Sequence, residues 1–324
     1  MYMNHNNMTR FYIIIFLSFL VGSVSAQGYY NSNAWKRHRH EVRFELGASN
    51  FLGEVGGRDQ VGSDFVWDLE FSKTNFAAGF NYLYYLSRKL GFRYNLYYGK
   101  VGGDDALTSE VFRHNRNIKF QSTIIETGIG LEWQLVKEKP GNIYNVKSPT
   151  GKKLGLKSFN WGIYFTAGVA GFYYNPKGPD QSGNMVALRP LKTEGQGLEG
   201  GAKPYGLFSV AIPVGFGVRK SLGRKMGLKI ELTHRFTFTD YIDDASTVYY
   251  DPTILENQIG PTSAYLSNPG LDTFGGSSTR PGLQRGDPTD RDGYMFITAG
   301  VYFTIDSKKS AYGRHKVRRV KASF

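Results

Sequence analysis

The chain has 324 residues, a formal net charge of +13 and no cysteine. Without cysteine it can form no disulfide and no thiolate metal site, it has no thiol nucleophile, and it cannot be lipidated on cysteine. It contains 40 glycines and 15 % aromatic residues, a composition that suits a β-barrel with a crowded interior and aromatic girdles.

The N-terminus has the pattern of a secretory signal peptide. Arg10 precedes an apolar run over residues 11–21, and residues 24–26 provide the small side chains of a cleavage site. We therefore expect residues 1–26 to be removed, which leaves residues 27–40 as an N-terminal arm. The alternative is a membrane anchor, for which the apolar run is short.

Apolar and polar residues then alternate with a period of two in eight segments. Successive side chains of a strand point to opposite faces, so this alternation predicts β-strands. The predicted strands cover residues 41–50, 76–86, 91–99, 119–135, 159–174, 208–219, 228–239 and 293–305. The long connections cover residues 51–75, 100–118, 175–203 and 240–292, a Lys-rich segment covers 136–158, and a basic tail covers 306–324.

The alternation is clearest in the hairpin at residues 208–239. The even-numbered residues of its first arm are all apolar, from Phe208 to Val218, and a short basic turn leads into the second arm. Each arm is about 11 residues long, which is the length that a tilted strand needs to cross a bilayer. Pro213 lacks the amide proton for a ladder hydrogen bond, so we expect a bulge or a local irregularity there.

These features predict an all-β fold, an eight-stranded antiparallel transmembrane β-barrel of the outer-membrane type over residues 41–305, with a polar, plugged lumen. The alternative is a soluble, lipocalin-like barrel, in which the apolar face would line a cavity. The polar face is crowded with small residues, which suits a narrow lumen. The apolar face ends in tyrosine and tryptophan, as a membrane-interface girdle does. Both features favour the membrane barrel, surrounded by outer-membrane lipid.

The inward-facing positions carry five acidic and five basic side chains. Buried charges are costly unless they are paired, and the interior of an eight-stranded barrel is just filled by side chains. We therefore expect a salt-bridged plug and not a pore. The predicted network comprises Arg43, Glu45, Arg93, Glu126, Glu132, Arg219, Lys229, Glu231 and Arg235, together with Glu41.

The two ends of the predicted barrel differ in charge. The short turns, residues 27–40 and 136–158 and the tail together carry 21 Lys and Arg against two acidic residues. The four long loops carry 12 Lys and Arg against 20 acidic residues. Both termini of an even-stranded barrel lie on the periplasmic side, so we expect the basic end there.

A basic periplasmic face attracts an acidic partner or anionic headgroups. We therefore predict that it docks a periplasmic protein; the alternative is a solvated face that only keeps the barrel soluble in transit. The docking candidates are Lys147, Lys152, Lys153, Lys316, Arg318 and Arg319. Nucleic acid is a poor partner, because the periplasm contains little of it.

Catalytic and metal-binding patterns are weak. Asp240, Asp243 and Asp244 follow a strand that contains His234, and such a cluster could activate water at the barrel rim. Asp287, Asp290 and Asp292 could hold Ca²⁺, but they fit no complete loop motif. The simpler interpretations are a polar strand–loop boundary and an acidic turn. We expect no enzyme activity, no cofactor, no metal site and no small-molecule substrate.

Four segments together carry a resemblance to a known family. They are residues 45–57 (ELGASNFLGEVGG), 98–105 (YGKVGGDD), 116–120 (RNIKF) and 238–246 (FTDYIDDAS). In this order they resemble the PorG-like outer-membrane β-barrels of Bacteroidota, the domain family DUF6089. The resemblance implies a component of the type IX secretion system that contacts a periplasmic ring of proteins resembling PorK and PorN. It implies no catalytic or metal-binding residues.

Three functions remain open at this point. The first is a non-enzymatic scaffold that docks the periplasmic ring in type IX secretion. The second is a generic small outer-membrane barrel with a structural or surface-binding role. The third is a hydrolase that acts at the outer-membrane rim, for which loss of activity on Asp243→Asn would be diagnostic.

Overall fold

The computed structural model describes residues 36, 38–55, 73–108, 110–138, 161–223, 225–271 and 278–305. The strands are β1 (His40–Leu52), β2 (Asn75–Tyr85), β3 (Leu90–Asp104), β4 (Lys119–Val136), β5 (Gly162–Pro179), β6 (Met185–Ala187), β7 (Phe208–Ser221), β8 (Met226–Thr237) and β9 (Gly293–Ile305). The helices are α1 (Val111–Arg116), α2 (Pro252–Gln258) and α3 (Pro261–Ser267), with 3₁₀ turns at Asp105–Leu107 and Arg189–Leu191. Within these residues no helix is long and apolar enough to cross a membrane.

Eight of the described strands close into one antiparallel barrel. Their order around the barrel is β1, β2, β3, β4, β5, β7, β8 and β9, and β9 pairs back with β1. The short strand β6 pairs only with the end of β5. The predicted eight-stranded antiparallel fold is therefore confirmed.

The apolar side chains lie on the outside of the barrel. Phe44 and Leu46 in β1 are 53 % and 62 % exposed, and Phe216 in β7 is 57 % exposed. The alternate residues of the same strands point inward, and Arg43 and Glu45 are almost completely buried. The soluble barrel with an apolar cavity is excluded, because these apolar side chains point away from the lumen.

Pro213 does not produce a bulge. The β5–β7 register is the same on both sides of the proline, at the pairs formed by Val214 and Ala211. Pro213 itself pairs in register with Arg235 of β8. The ladder therefore tolerates the missing amide proton as a local gap, and in β4 the register shifts after Gln134 instead.

Two loops begin later than the alternation predicts. β3 continues to Asp104 and β5 continues to Pro179, so the first residues of the predicted connections 100–118 and 175–203 are strand. Both extensions pair with β4. The described part of the connection 240–292 also contains helices, namely α2 and α3.

The two ends of the barrel are built differently. At one end, here named the turn end, tight turns join β2 to β3 and β7 to β8. At the other end, residues 105–108, 110–118, 180–207, 238–271 and 278–292 form what we name the loop-end cap. A hydrophobic core fills the barrel beneath this cap, and its largest members include Phe51, Phe120, Ile124, Phe172, Phe296 and Ile242.

Candidate functional site

At the turn end, the lumen is closed by a chain of alternating charges. Glu41 accepts hydrogen bonds from Nη2 of Arg219 at 2.9 Å and from Nε of Arg43 at 2.7 Å. Arg43 also donates two bonds to Glu132, at 2.5 and 2.8 Å. Arg219 donates to Glu138 at 2.8 Å. Such bidentate, charge-assisted bonds fix the side chains in place across the barrel.

In the middle of the lumen, Glu231 is the centre of the network. It accepts two bonds from Arg93, both 2.7 Å long, and one from Lys229 at 2.9 Å. The hydroxyl of Tyr164 donates to it at 2.6 Å. Lys229 also donates to Glu45 at 2.5 Å, which connects β8 to β1 through the lumen.

Nearest the loop end, Arg235 and Glu126 form the last ion pair. Nε of Arg235 lies 2.9 Å from Oε2 of Glu126, and the hydroxyl of Tyr294 donates to the same oxygen at 2.7 Å. The Arg235 guanidinium lies 4.1 Å from the ring centroid of Phe296, a cation–π contact. This pair therefore joins the charged part of the lumen to the hydrophobic core beneath the cap.

All nine residues of the predicted lumen network are buried in the barrel interior. Each of them forms an ion pair with a described residue of opposite charge. A solute that crossed this lumen would have to separate buried ion pairs, which is strongly unfavourable. The geometry therefore supports a plug that braces opposite walls of the barrel.

Several members of the network are absent from the sequence-based list. Glu138 lies just beyond the end of β4 and accepts bonds from Arg219 and from the hydroxyl of Tyr302. Asn81 and Tyr97 contact Arg93 in the middle of the lumen. The inward parity of β2, β3 and β9 points to Asn81, Tyr97 and Tyr302, whereas Glu138 follows the last alternating residue and carries no such signal.

In the loop-end cap, two arginines each bind a carboxylate. Arg116 forms two bonds with Asp105, at 2.7 and 3.0 Å. Arg285 donates to Glu194 at 3.0 Å. Both pairs tie together segments that are distant in sequence, and so they fix the fold of the cap.

Four further carboxyl groups of this region, Glu54, Asp240, Asp243 and Asp292, lie close enough to influence one another. Burial raises the pKa of Glu54 to about 7 and the pKa of Asp240 to about 9. Burial, together with repulsion from neighbouring carboxylates, raises the pKa values of Asp243 and Asp292 well above their ordinary range. We name these four residues the carboxyl cluster.

The rim-hydrolase hypothesis is not supported by the position of its aspartates. Asp243 and Asp244 are 0 % exposed, so a substrate in solvent cannot reach their carboxyl groups. Asp244 accepts hydrogen bonds from the hydroxyls of Thr193 and Tyr205. His234 packs its ring edge-on against Phe236, with 4.2 Å between the ring centroids.

The aspartates at residues 287–292 do not converge on one point. Asp287 accepts bonds from the amide and hydroxyl of Thr289, which is the arrangement of an acidic turn. Asp292 instead accepts a bond from the amide of Ile242 at 2.8 Å. In the described part of the chain, no group of three His, Cys, Asp or Glu side chains is arranged to hold a metal ion.

A cleft of about 430 Å³ opens on the loop-end cap beside α1. Its walls carry both signs of charge, with Arg113 and Arg116 on one side and Asp287 and Asp290 among the acids. A cleft with this mixture does not select an ionic ligand of one sign.

The predicted docking residues Lys147, Lys152, Lys153, Lys316, Arg318 and Arg319 lie outside the described residues. The described part of the turn end carries basic side chains in both tight turns, and Arg88, Lys89 and Lys225 are exposed there. These side chains extend the basic surface that the sequence predicts for this end.

Residues 19–148 match a family model described as "Domain of unknown function (DUF6089)". No curated protein matches the chain. Among solved structures, the chain is similar to Neisserial surface protein A, with 8 % identity and a TM-score of 0.37, over 82 % of this chain and 97 % of that one. It is also similar to the outer-membrane protein OprG from Pseudomonas aeruginosa, with 10 % identity and a TM-score of 0.33, over 83 % and 98 % of the two chains. A major outer-membrane protein from Thermus thermophilus gives 11 % identity and a TM-score of 0.34, over 83 % and 100 %.

Proposed function

We propose that this protein is a non-enzymatic scaffold embedded in the outer membrane. The observation that carries the proposal is a continuous apolar outer surface around a lumen filled with paired charges. Hydrocarbon is the environment that such a surface requires. A barrel that is plugged by salt bridges offers its two ends, and not its interior, for function.

The turn end is the surface that docks a partner in this proposal. In an even-stranded barrel with short turns at one end, that end faces the periplasm. Its basic side chains attract an acidic protein surface. The family match over residues 19–148 and the order of the four sequence motifs favour one partner, the periplasmic ring of the type IX secretion system that contains proteins resembling PorK and PorN.

A charge-removal experiment tests the docking proposal. Two triple variants replace basic residues by glutamine, one at Lys147, Lys152 and Lys153 and one at Lys316, Arg318 and Arg319. Each is expressed at the native level in the native host, and the ring proteins that are recovered with the barrel are quantified. We expect recovery to fall in both variants, most strongly at physiological ionic strength, because exposed charges are screened by salt.

The matched control removes the same number of charges from the opposite end, at Lys177, Lys203 and Arg280. It should leave recovery of the ring proteins unchanged. Equal recovery from all three variants would reject docking through the turn end. If no ring component were recovered even with the native chain, and if deletion left secretion intact, the generic structural barrel would be the correct function.

A further inference from the structure

The carboxyl cluster joins three segments of the chain at the loop end of the barrel. Glu54 follows β1, Asp240 and Asp243 follow β8, and Asp292 precedes β9. Asp243 is 0 % exposed and Asp292 is 2 % exposed. Four negative charges in so small and dry a space would repel one another strongly, so the cluster requires something that neutralises it.

The neighbouring arginines are engaged elsewhere. Arg116 forms its bidentate pair with Asp105 and donates its remaining bonds to the backbone carbonyls of Glu54 and Arg285. Arg285 binds Glu194 and the backbone carbonyl of Asp244. These two cations therefore balance Asp105 and Glu194, which leaves the four carboxyl groups in excess.

Asp243 gives an independent indication. Its Oδ1 atom accepts a bond from the amide of Ala245 at 2.9 Å, whereas its buried Oδ2 atom has no hydrogen-bond partner among the described residues. A buried, unpartnered carboxylate oxygen is strongly unfavourable, and a proton on that oxygen removes most of the cost. Because the described side chains form no metal-ligand set, protons are the neutralising species that this geometry accommodates.

We propose that the loop-end cap is a pH-operated closure, held shut by protons that the carboxyl cluster shares and loosened when those protons are lost. The segment that moves first is residues 240–247, because it carries two members of the cluster. Asp292 also holds this segment directly, through its bond to the amide of Ile242. Loss of the shared protons would place negative charge at both ends of that contact.

The groups around the cluster set the direction of the response. They are Asp105, Arg116, Glu194, Tyr241, Asp244, Tyr249, Arg285, Asp287 and Asp290. Acids outnumber the two arginines in this set as well, so the surroundings do not supply the missing positive charge. Groups whose pKa is raised in the folded cap favour folding when protonated, so the closed cap is more stable at acidic pH and weakens as pH rises.

Amide hydrogen exchange of the purified, folded full-length barrel tests the proposal. Exchange is followed between pH 6 and pH 9 and corrected for the intrinsic pH dependence of exchange. In the native chain we expect the opening equilibrium of residues 240–247 to rise by about tenfold or more, since loss of one shared proton changes it by up to tenfold per pH unit. The amides of the barrel strands should show no such change.

The double variant Asp243→Asn with Asp292→Asn carries neutral amides in place of the two most buried carboxyl groups. We expect its opening equilibrium to vary less than about threefold over the same range. Glu256→Gln removes an exposed carboxylate from α2 of the same cap and should behave as the native chain does. A flat profile in the native chain, or an unchanged pH response in the double variant, would overturn the proposal.

Infrared spectroscopy of the native chain provides a test that needs no variant to fold. Protonated carboxyl groups absorb separately from carboxylates, so a carboxylic-acid band should be present at pH 7 and should disappear as the cap opens at higher pH. A spectrum without this band at pH 7 would overturn the proposal. A cap that stays closed at pH 9 only when Ca²⁺ is added would identify a cation as the neutralising species and would also overturn it.

Discussion

Arg93→Met tests whether the lumen is held together by its buried charges. Arg93 is 1 % exposed and forms two bonds of 2.7 Å with Glu231. It also donates to Asn81 and to the hydroxyl of Tyr97. Methionine fills a similar length of the lumen but makes none of these bonds, so the variant leaves several buried polar groups with fewer partners.

The expected loss can be estimated from those contacts. Removal of one partner of a buried ion pair costs about 3–5 kcal/mol. Glu231 keeps Lys229 at 2.9 Å and the hydroxyl of Tyr164 at 2.6 Å, which favours the lower end of the range. We therefore expect the free energy of unfolding to fall by about 3 kcal/mol.

Equilibrium unfolding of the barrel by urea in detergent micelles measures this loss, with tryptophan fluorescence and gel mobility as two independent probes. Glu231→Gln is measured in the same way, alone and combined with Arg93→Met. The double variant removes both members of the pair, so its loss should be smaller than the sum of the single losses by about 2 kcal/mol.

Lys89→Met is the matched control, because it removes one positive charge from an exposed tight turn. It should leave the free energy of unfolding nearly unchanged. If Arg93→Met cost no more than this control, and if the cycle with Glu231→Gln showed no coupling, then water and not protein would be solvating the lumen charges, and the salt-bridged plug would be refuted.

Three further predictions concern other parts of the barrel. An added Cβ at Gly217 would overlap the ring of an inward-facing tyrosine, so Gly217→Ala should lower the urea midpoint by the equivalent of about 1–3 kcal/mol, whereas Gly171→Ala, with open space around it, should not. Phe216→Arg, on the outer surface of β7, should cost about 2–4 kcal/mol in lipid vesicles, and Leu222→Arg, at the turn end, about 0–1 kcal/mol; equal costs would argue against a bilayer around β7. Burial raises the pKa of Glu54 from 4.5 to about 7, so the stability of the cap should fall as pH rises between these values; Glu54→Gln should reduce that slope in proteolysis assays of the cap, and an unchanged slope would exclude Glu54 as its source.

The strands of the barrel could be predicted from alternation, and their ends could not. β9 spans Gly293–Ile305, the same bounds as the alternating segment. At the loop end of β3 and β5, glycine and proline interrupt the pattern, in residues 102–104 and 175–179. Those residues are strand because they pair with β4, and a pairing with a distant partner leaves no local signal.

Parity also placed the lumen charges on the correct face, but it could not say which of them pair. Arg43 binds Glu132, which lies 89 residues further along the chain. Arg93 binds Glu231, 138 residues away. These partners depend on the stagger of the strands around the closed barrel, which the sequence of a single strand does not contain.

The carboxyl cluster was beyond sequence-based reasoning for a related reason. Asp240, Asp243 and Asp292 appear in the sequence as exposed loop acids, of the kind that usually lie in solvent. They are buried because the cap folds back over the apolar end of the lumen, where Ile242 joins the core. Glu54 reaches the same place from the first connection.

The central claim is that the apolar surface faces hydrocarbon around a filled lumen, and depth-resolved fluorescence quenching tests it most directly. The chain has four tryptophans, which are replaced by phenylalanine, and a single tryptophan is introduced by Phe216→Trp. After folding into lipid vesicles, this residue should be quenched strongly by lipids with brominated acyl chains and weakly by a water-soluble quencher. Strong quenching from water, with no effect of the brominated chains, would contradict the account.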